Sequence, residues 1–114
     1  MEFMATPSTN EGTLSLKGDI TLLQAGQLKA LLVRALEASE QVTIDTETVT
    51  DIDLSCLQLI CSAHRSAVDR GRRWVLNPRR SEAFTARVRQ AGLTNSLACN
   101  CTLESDCLWK GGDL

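Results

Sequence analysis

Three aspartates and a serine lie close together in the middle of the chain: Asp45, then Asp51, Asp53 and Ser55 within Val49-Thr50-Asp51-Ile52-Asp53-Leu54-Ser55-Cys56-Leu57. Carboxylates so placed can hold a hard cation, close a turn or cap a helix, and a serine at a helix start can cap it or accept a phosphoryl group. A cation cluster of the receiver-domain kind needs an acidic pair after the first strand and a lysine near the fifth. Here the first strand meets Gly18-Asp19, and the late lysine is Lys110 in the tail. Turn and cap duty is the expectation for the aspartates, and no metal is expected.

The remaining reactive side chains yield no catalytic set. Cys99, Cys101 and Cys107 offer three thiols where structural zinc takes four ligands, and no further Cys or His lies nearby, so they read as buried or oxidisable thiols. His64, the single histidine, has no Ser or Cys at a recognisable nucleophile spacing and reads as a core-edge residue. Arg65, Arg70, Arg72, Arg73, Arg79, Arg80, Arg87 and Arg89 are offset by Asp69 and Glu82 alone. That stretch reads as a solvated charged face, with an acidic partner or a nucleotide phosphate as the alternative; no aromatic platform interleaves it. No catalytic residue and no cofactor is expected.

Composition sets the frame for these residues. The chain has 114 residues, 12 Lys+Arg against 14 Asp+Glu, a formal net charge of −2 and 43% hydrophobic residues. One domain of this size hides roughly two-thirds of the surface its unfolded chain exposes, enough for a core without staples. The acidic balance argues against a nucleic-acid binder, and no apolar run approaches the roughly 20 residues of a bilayer span. Five cysteines, an odd number, and no signal-peptide pattern point to a reducing cytoplasmic setting. Residues 1–12, polar and rich in Thr, Ser and Pro, are expected to be a disordered or extraneous tail, with the domain spanning 13–114.

The elements follow from periodicity. Thr13-Leu14-Ser15-Leu16 alternates as a strand, Gly18-Asp19 reads as a turn, and Ile20 begins a second short extended piece. Thr21 and Gln24 have capping-box spacing, opening a helix to about Ala38 with an apolar stripe of Ala25, Leu28, Leu31, Leu32, Ala35 and Leu36. Val42-Thr43-Ile44 is a strand, followed by a linker from Thr46 to Asp51. A second helix runs from about Leu54 to Arg70 and ends at Gly71. Trp74-Val75-Leu76 reads as a strand buried on both faces, and Asn77-Pro78 as the start of a third helix, about Arg80 to Ala91, closed by Gly92. A final strand at Leu97–Leu103 and a docking segment at Cys107-Leu108-Trp109 complete the expectation. The class is α/β, a mixed β-sheet covered mainly by α-helices.

Stepping about 100° per residue along the second helix sorts it into two sides. Leu54, Leu57, Ile60, Cys61, Ala63, His64, Ala67 and Val68 fall on the core side; Ser55, Gln58, Ser62, Arg65, Ser66, Asp69 and Arg70 face outward. Leu59 falls in the outward arc, so it is expected to meet solvent or a partner on a weakly charged, easily desolvated surface.

The run Asp53-Leu54-Ser55-Cys56-Leu57 resembles the Asp-Ser-Ser-Gly-Leu loop of STAS domains, the family of anti-sigma factor antagonists and of sulphate-transporter tails. The resemblance extends over about Thr13 to Leu93 and includes Asn77-Pro78 and Ala91-Gly92-Leu93. It implies a bacterial, non-enzymatic regulatory module with Ser55 as phosphoacceptor. Asp53, Leu54, Ser55, Cys56, Gln58, Leu59 and Ser62 would contact the partner, an anti-sigma factor/serine kinase or related signalling protein. Leu54 in place of a hydroxyl and Cys56 in place of a glycine depart from the family pattern. The alternative is a constitutive, unphosphorylated STAS adaptor of another signalling array or of an ABC-type lipid transporter. Nucleic acid and direct membrane insertion are not expected, self-association is left open, and N-cap duty remains the alternative role for Ser55 and Asp53.

Overall fold

The computed structural model describes residues 1–6 and 8–92. Four strands, β1 (Glu2–Thr6), β2 (Glu11–Ile20), β3 (Gln41–Ile52) and β4 (Arg73–Arg80), form one sheet in the order β1-β2-β3-β4. The helices are α1 (Ala25–Ala38), α2 (Leu54–Asp69) and α3 (Glu82–Gln90), with a single 3-10 turn, Leu22–Gln24, leading into α1. The pair β1–β2 is antiparallel, while β2–β3 and β3–β4 are parallel and joined through α1 and α2.

Strand burial alternates, as a sheet packed on one side requires. Leu14, Leu16 and Ile20 of β2, Val42, Ile44, Val49 and Ile52 of β3, and Trp74 and Leu76 of β4 are buried under the helices. Leu28, Leu32, Ala35 and Leu36 of α1 close on them, joined by Leu57, Ile60, Cys61 and Ala67 of α2 and by Phe84 and Val88 of α3. Val75 is 39% exposed, so β4 is not buried on both faces as its apolar run suggested. Its register partner Thr43, and in turn Thr13 and Met4, form an outward row across the sheet. Among the described residues the helices cover one face.

Several boundaries differ from the sequence reading, each for an identifiable local reason. Gly18 (φ 69°) does not turn the chain; it sits beside register shifts that let β2 continue as one bulged strand to Ile20. The presumed linker Thr46–Asp51 belongs to β3, because the long bulged β2 offers it backbone partners. Asn77-Pro78 remains in the edge strand β4, where a missing N–H costs no ladder bond, and Ser81 caps α3 instead, accepting from the Phe84 N–H at 3.0 Å. The expected segments Leu97–Leu103 and Cys107–Trp109 lie outside the described residues.

Residues 2–6 are not a tail. Phe3 pairs with Leu14 and Ala5 with Gly12, which makes β1 an edge strand whose Phe3 ring lies over the glycine. A Cβ at position 12 would stand 2.6 Å from Phe3 Cε1 and 2.8 Å from Ser39 Oγ. The absent side chain thus makes room for the aromatic ring. Gly12→Ala should therefore destabilise the fold by about 1–3 kcal/mol in urea unfolding, the usual cost of overpacking. In a Phe3→Ala background the same substitution should cost markedly less; an equal cost in both would place the ring elsewhere.

Candidate functional site

The site is built where β2 and β3 end side by side and feed into their helices. At the end of β3, Asp53 takes an extended conformation (φ −73°, ψ 150°) and its carbonyl accepts the Cys56 and Leu57 N–H groups at 3.0 and 3.1 Å, which starts α2. Its side chain does not cap that helix. The carboxylate reaches to the neighbouring junction and accepts the Leu22 N–H at 2.6 Å, while the Asp53 N–H donates to the Ile20 carbonyl at 2.9 Å. The expected N-cap role of Asp53 is met by its backbone alone.

The other end of that contact is equally tied down. Thr21 and Gln24 form the capping box anticipated from their spacing: Gln24 Oε1 accepts the Thr21 N–H at 2.7 Å, and the Thr21 hydroxyl accepts the Leu23 N–H at 3.3 Å. Cys56 adds a further tie by donating its thiol proton to the Thr21 carbonyl at 3.5 Å. Burial pushes the Cys56 thiol up; the Ser55 hydroxyl opposes this and the Asp53 charge adds to it. The group therefore stays a protonated donor.

The anticipated site residues divide accordingly. Ser55 is partly exposed in the first turn of α2, with its hydroxyl set against the neighbouring Cys56 thiol. Gln58 and Ser62 are exposed on the same helix. Leu54 was assigned to the core side but is 52% exposed, because it stands before the helix has passed under cover of the sheet. Cys56, expected to touch a partner, is 0% exposed and points inward. That contact is corrected: its surface is used against Thr21. Leu59, expected to meet solvent or a partner, is partly buried and packs against the core. It is a rim residue rather than an exposed anchor.

Sequence reasoning missed Leu22 and Leu23, which are 66% and 95% exposed beside Asp53. Both fall outside the apolar stripe of α1 when the helical step is run backward from Ala25, and that was the available signal.

Charge at this end is organised by one ion pair. Asp51 binds Arg87 of α3 through two bonds, Oδ1 to Nε at 2.7 Å and Oδ2 to Nη2 at 3.1 Å, and also accepts the Ile52 N–H at 2.9 Å. The Arg87 bond, then the Ile52 N–H, hold the Asp51 carboxyl below its usual range, and Arg87 is raised in turn. Asp19 accepts a hydrogen bond from the Thr50 hydroxyl, and Asp45, expected in a turn or cap, lies within β3 beside a register shift and accepts the Glu47 N–H at 3.0 Å. His64 is buried, 2% exposed. In the arginine-rich stretch, Arg72 donates to the Ser39 carbonyl at 2.8 Å and Arg80 to the Asn77 carbonyl at 3.1 Å, while Arg65, Arg70, Arg73, Arg79 and Arg89 are exposed. Cys99, Cys101 and Cys107 lie outside the described residues.

This fold and this loop geometry define a class. The family model described as Mlab, STAS domain matches residues 4–102, and the chain belongs to that family. Among solved structures it is similar to the anti-sigma factor antagonist SpoIIAA in its unphosphorylated form, at 21% identity and a TM-score of 0.60 over 76% of this chain and 77% of that one. At that identity the likeness establishes the fold, a mixed four-stranded sheet with three helices. No curated protein sequence matches the chain. No helix among the described residues is long and apolar enough to cross a membrane.

The Asp51–Arg87 pair makes a direct prediction. A carboxyl held below its unfolded value contributes stability at neutral pH, and that contribution is lost as pH falls through the folded-state value. In carboxyl-detected NMR, Asp51 should titrate below the ordinary aspartate range and move up in Arg87→Ala. The stability difference between the two proteins should shrink toward zero in acid. An Asp51 titration unmoved by Arg87→Ala would remove the pair from solution.

Proposed function

We propose that the protein is a cytoplasmic, non-enzymatic binding module of the anti-sigma-antagonist kind. It docks a partner, an anti-sigma factor/serine kinase or related signalling protein, through the N-terminal end of α2. The observation that carries this reading is the surface of Leu54, Ser55, Gln58 and Ser62. An apolar side chain, 52% exposed, stands there among neutral polar groups that lose little on desolvation. Asp53 borders it, Leu59 closes its rim, and Cys56 supports it from below.

Phosphorylation of Ser55 is proposed as the switch. The hydroxyl is partly exposed, and the adjoining start of α2 carries no acidic residue in its first turn, so a phosphate is tolerated by the helix dipole. The same group brings a charge of about −2 into a contact that must be desolvated, close to Asp53. The fold stays intact and the partner leaves.

A second reading, a constitutive STAS adaptor as in an ABC-type lipid transporter or another signalling array, is favoured by the two departures from the family loop. Leu54 offers apolar area where the pattern has a hydroxyl, and the buried Cys56 side chain takes the place of a glycine. A surface covered permanently gains from the first and has no need of the second's absence. Ser55→Asp distinguishes the two. In the switch reading it abolishes partner retention on co-purification with the melting temperature unchanged, and intact-mass analysis of native protein finds phosphate on Ser55. Retained partner together with unmodified Ser55 selects the adaptor.

A further inference from the structure

We infer that Cys56 links the chemical state of the Ser55 hydroxyl to the turn that opens α1, so that a modification of Ser55 is registered at Thr21, 35 positions before Cys56 in the chain. The inference rests on Ser55 being the phosphoacceptor and adds a route by which its state leaves α2.

The link is a chain of two hydrogen bonds. The Ser55 hydroxyl lies against the Cys56 sulfur and opposes the burial that pushes this thiol up, which is the effect of a hydroxyl donating to sulfur. The thiol proton goes onward to the Thr21 carbonyl at 3.5 Å. A sulfur that accepts on one side donates better on the other, because each bond polarises the next. Cys56 is fully buried, where water does not damp that polarisation.

The Thr21 carbonyl is the receiving end. It also accepts the Gln24 N–H at 2.9 Å, the bond that closes the turn Leu22–Gln24. One oxygen serves both donors, so a weaker thiol bond leaves more of its electron density to Gln24. Asp53 keeps the two segments in place meanwhile. Its N–H donates to the Ile20 carbonyl at 2.9 Å and its carboxylate accepts the Leu22 N–H at 2.6 Å, neither bond involving Ser55. The ester oxygen of a phosphoserine carries no proton, so the donor to sulfur is lost while the frame persists. A glycine at position 56, as in the family loop, has no sulfur and no such route. Cys56 is therefore a positioning residue peculiar to this loop sequence.

The test uses the full chain, with the Cys56 S–H stretch read by infrared spectroscopy and the Gln24 amide proton by NMR. The Cys56 band is assigned by its disappearance in Cys56→Ser. Removing the donor with Ser55→Ala should move the S–H stretch to higher frequency and the Gln24 amide proton downfield, and genetically encoded phosphoserine at position 55 should move the S–H stretch the same way. In a Cys56→Ala background, Ser55→Ala should leave Gln24 unmoved; Cys56→Ser, which keeps both an acceptor and a donor, should restore the response. An S–H stretch unmoved by Ser55→Ala, or a Gln24 shift of equal size with and without the thiol, overturns the link. A stretch that moves with alanine but not with phosphoserine overturns its role in signalling. The infrared comparison leaves position 56 intact in the test protein, so it stands even where a Cys56 variant fails to fold. Partner retention and the phosphate content of native protein are measured separately, so loss of the link leaves the binding-module reading standing.

Discussion

The handedness of two crossovers governs this molecule. Strands β2, β3 and β4 are parallel neighbours in chain order, and the connections through α1 and α2 advance in the same direction across the sheet. Right-handed connections advancing the same way must lie on the same side. Both helices therefore share one face of the sheet and pack on each other, and the described part of the sheet has an inside and an outside. The alternation of buried and exposed residues along every parallel strand follows, including the exposure of Val75 in a run that is entirely apolar.

The same topology makes the site. Parallel strands deliver their C-terminal ends to one edge of the sheet, and each then starts a helix whose free N–H groups face outward. Two such junctions lie side by side here, and Asp53 joins them by giving its backbone to one helix start and its carboxylate to the other. The capping box of Thr21 and Gln24, the inward Cys56 thiol and the Arg87–Asp51 pair stiffen the surroundings. What remains unspent is a small set of side chains: Leu22, Leu23, Leu54, Ser55, Gln58 and Ser62. They have exposure and, apart from the Ser55 hydroxyl beside the Cys56 thiol, no structural task among the side-chain bonds described.

Local signals in the sequence were sufficient for much of this. The Thr21–Gln24 box, the stripe of α1, the extent of α2 and the closing glycines Gly71 and Gly92, both with positive φ, depend on residues a few positions apart and appear where spacing put them. The family loop was legible at Asp53–Leu57 for the same reason, since its pattern is contiguous. Strand limits were harder. Whether Thr46–Asp51 is a linker or a strand depends on whether β2, some 30 residues away, continues far enough to pair with it, and Gly18 looks like a turn until a bulge absorbs it. Edge strand β1 was hidden because the polar run Thr6-Pro7-Ser8-Thr9-Asn10-Glu11 after it has the composition of a tail; only pairing with β2, and the space Gly12 leaves for Phe3, give it a place.

The sequence by itself determined the α/β class, the three helices with the Thr21–Gln24 box and the closing glycines, and Ser55 as the hydroxyl at the head of α2. These rest on hydrogen bonds and periodicities within one or two turns of chain. Tertiary structure alone decided which side of α2's first turn is covered, sending Cys56 in and Leu54 out and tucking Leu59 against the core. It alone turned the Asp53 carboxylate away from its own helix toward Leu22. The physical reason is that a helix end has free N–H groups whichever way it points, and the nearest one to an acceptor can belong to a different helix once the sheet has brought two ends together.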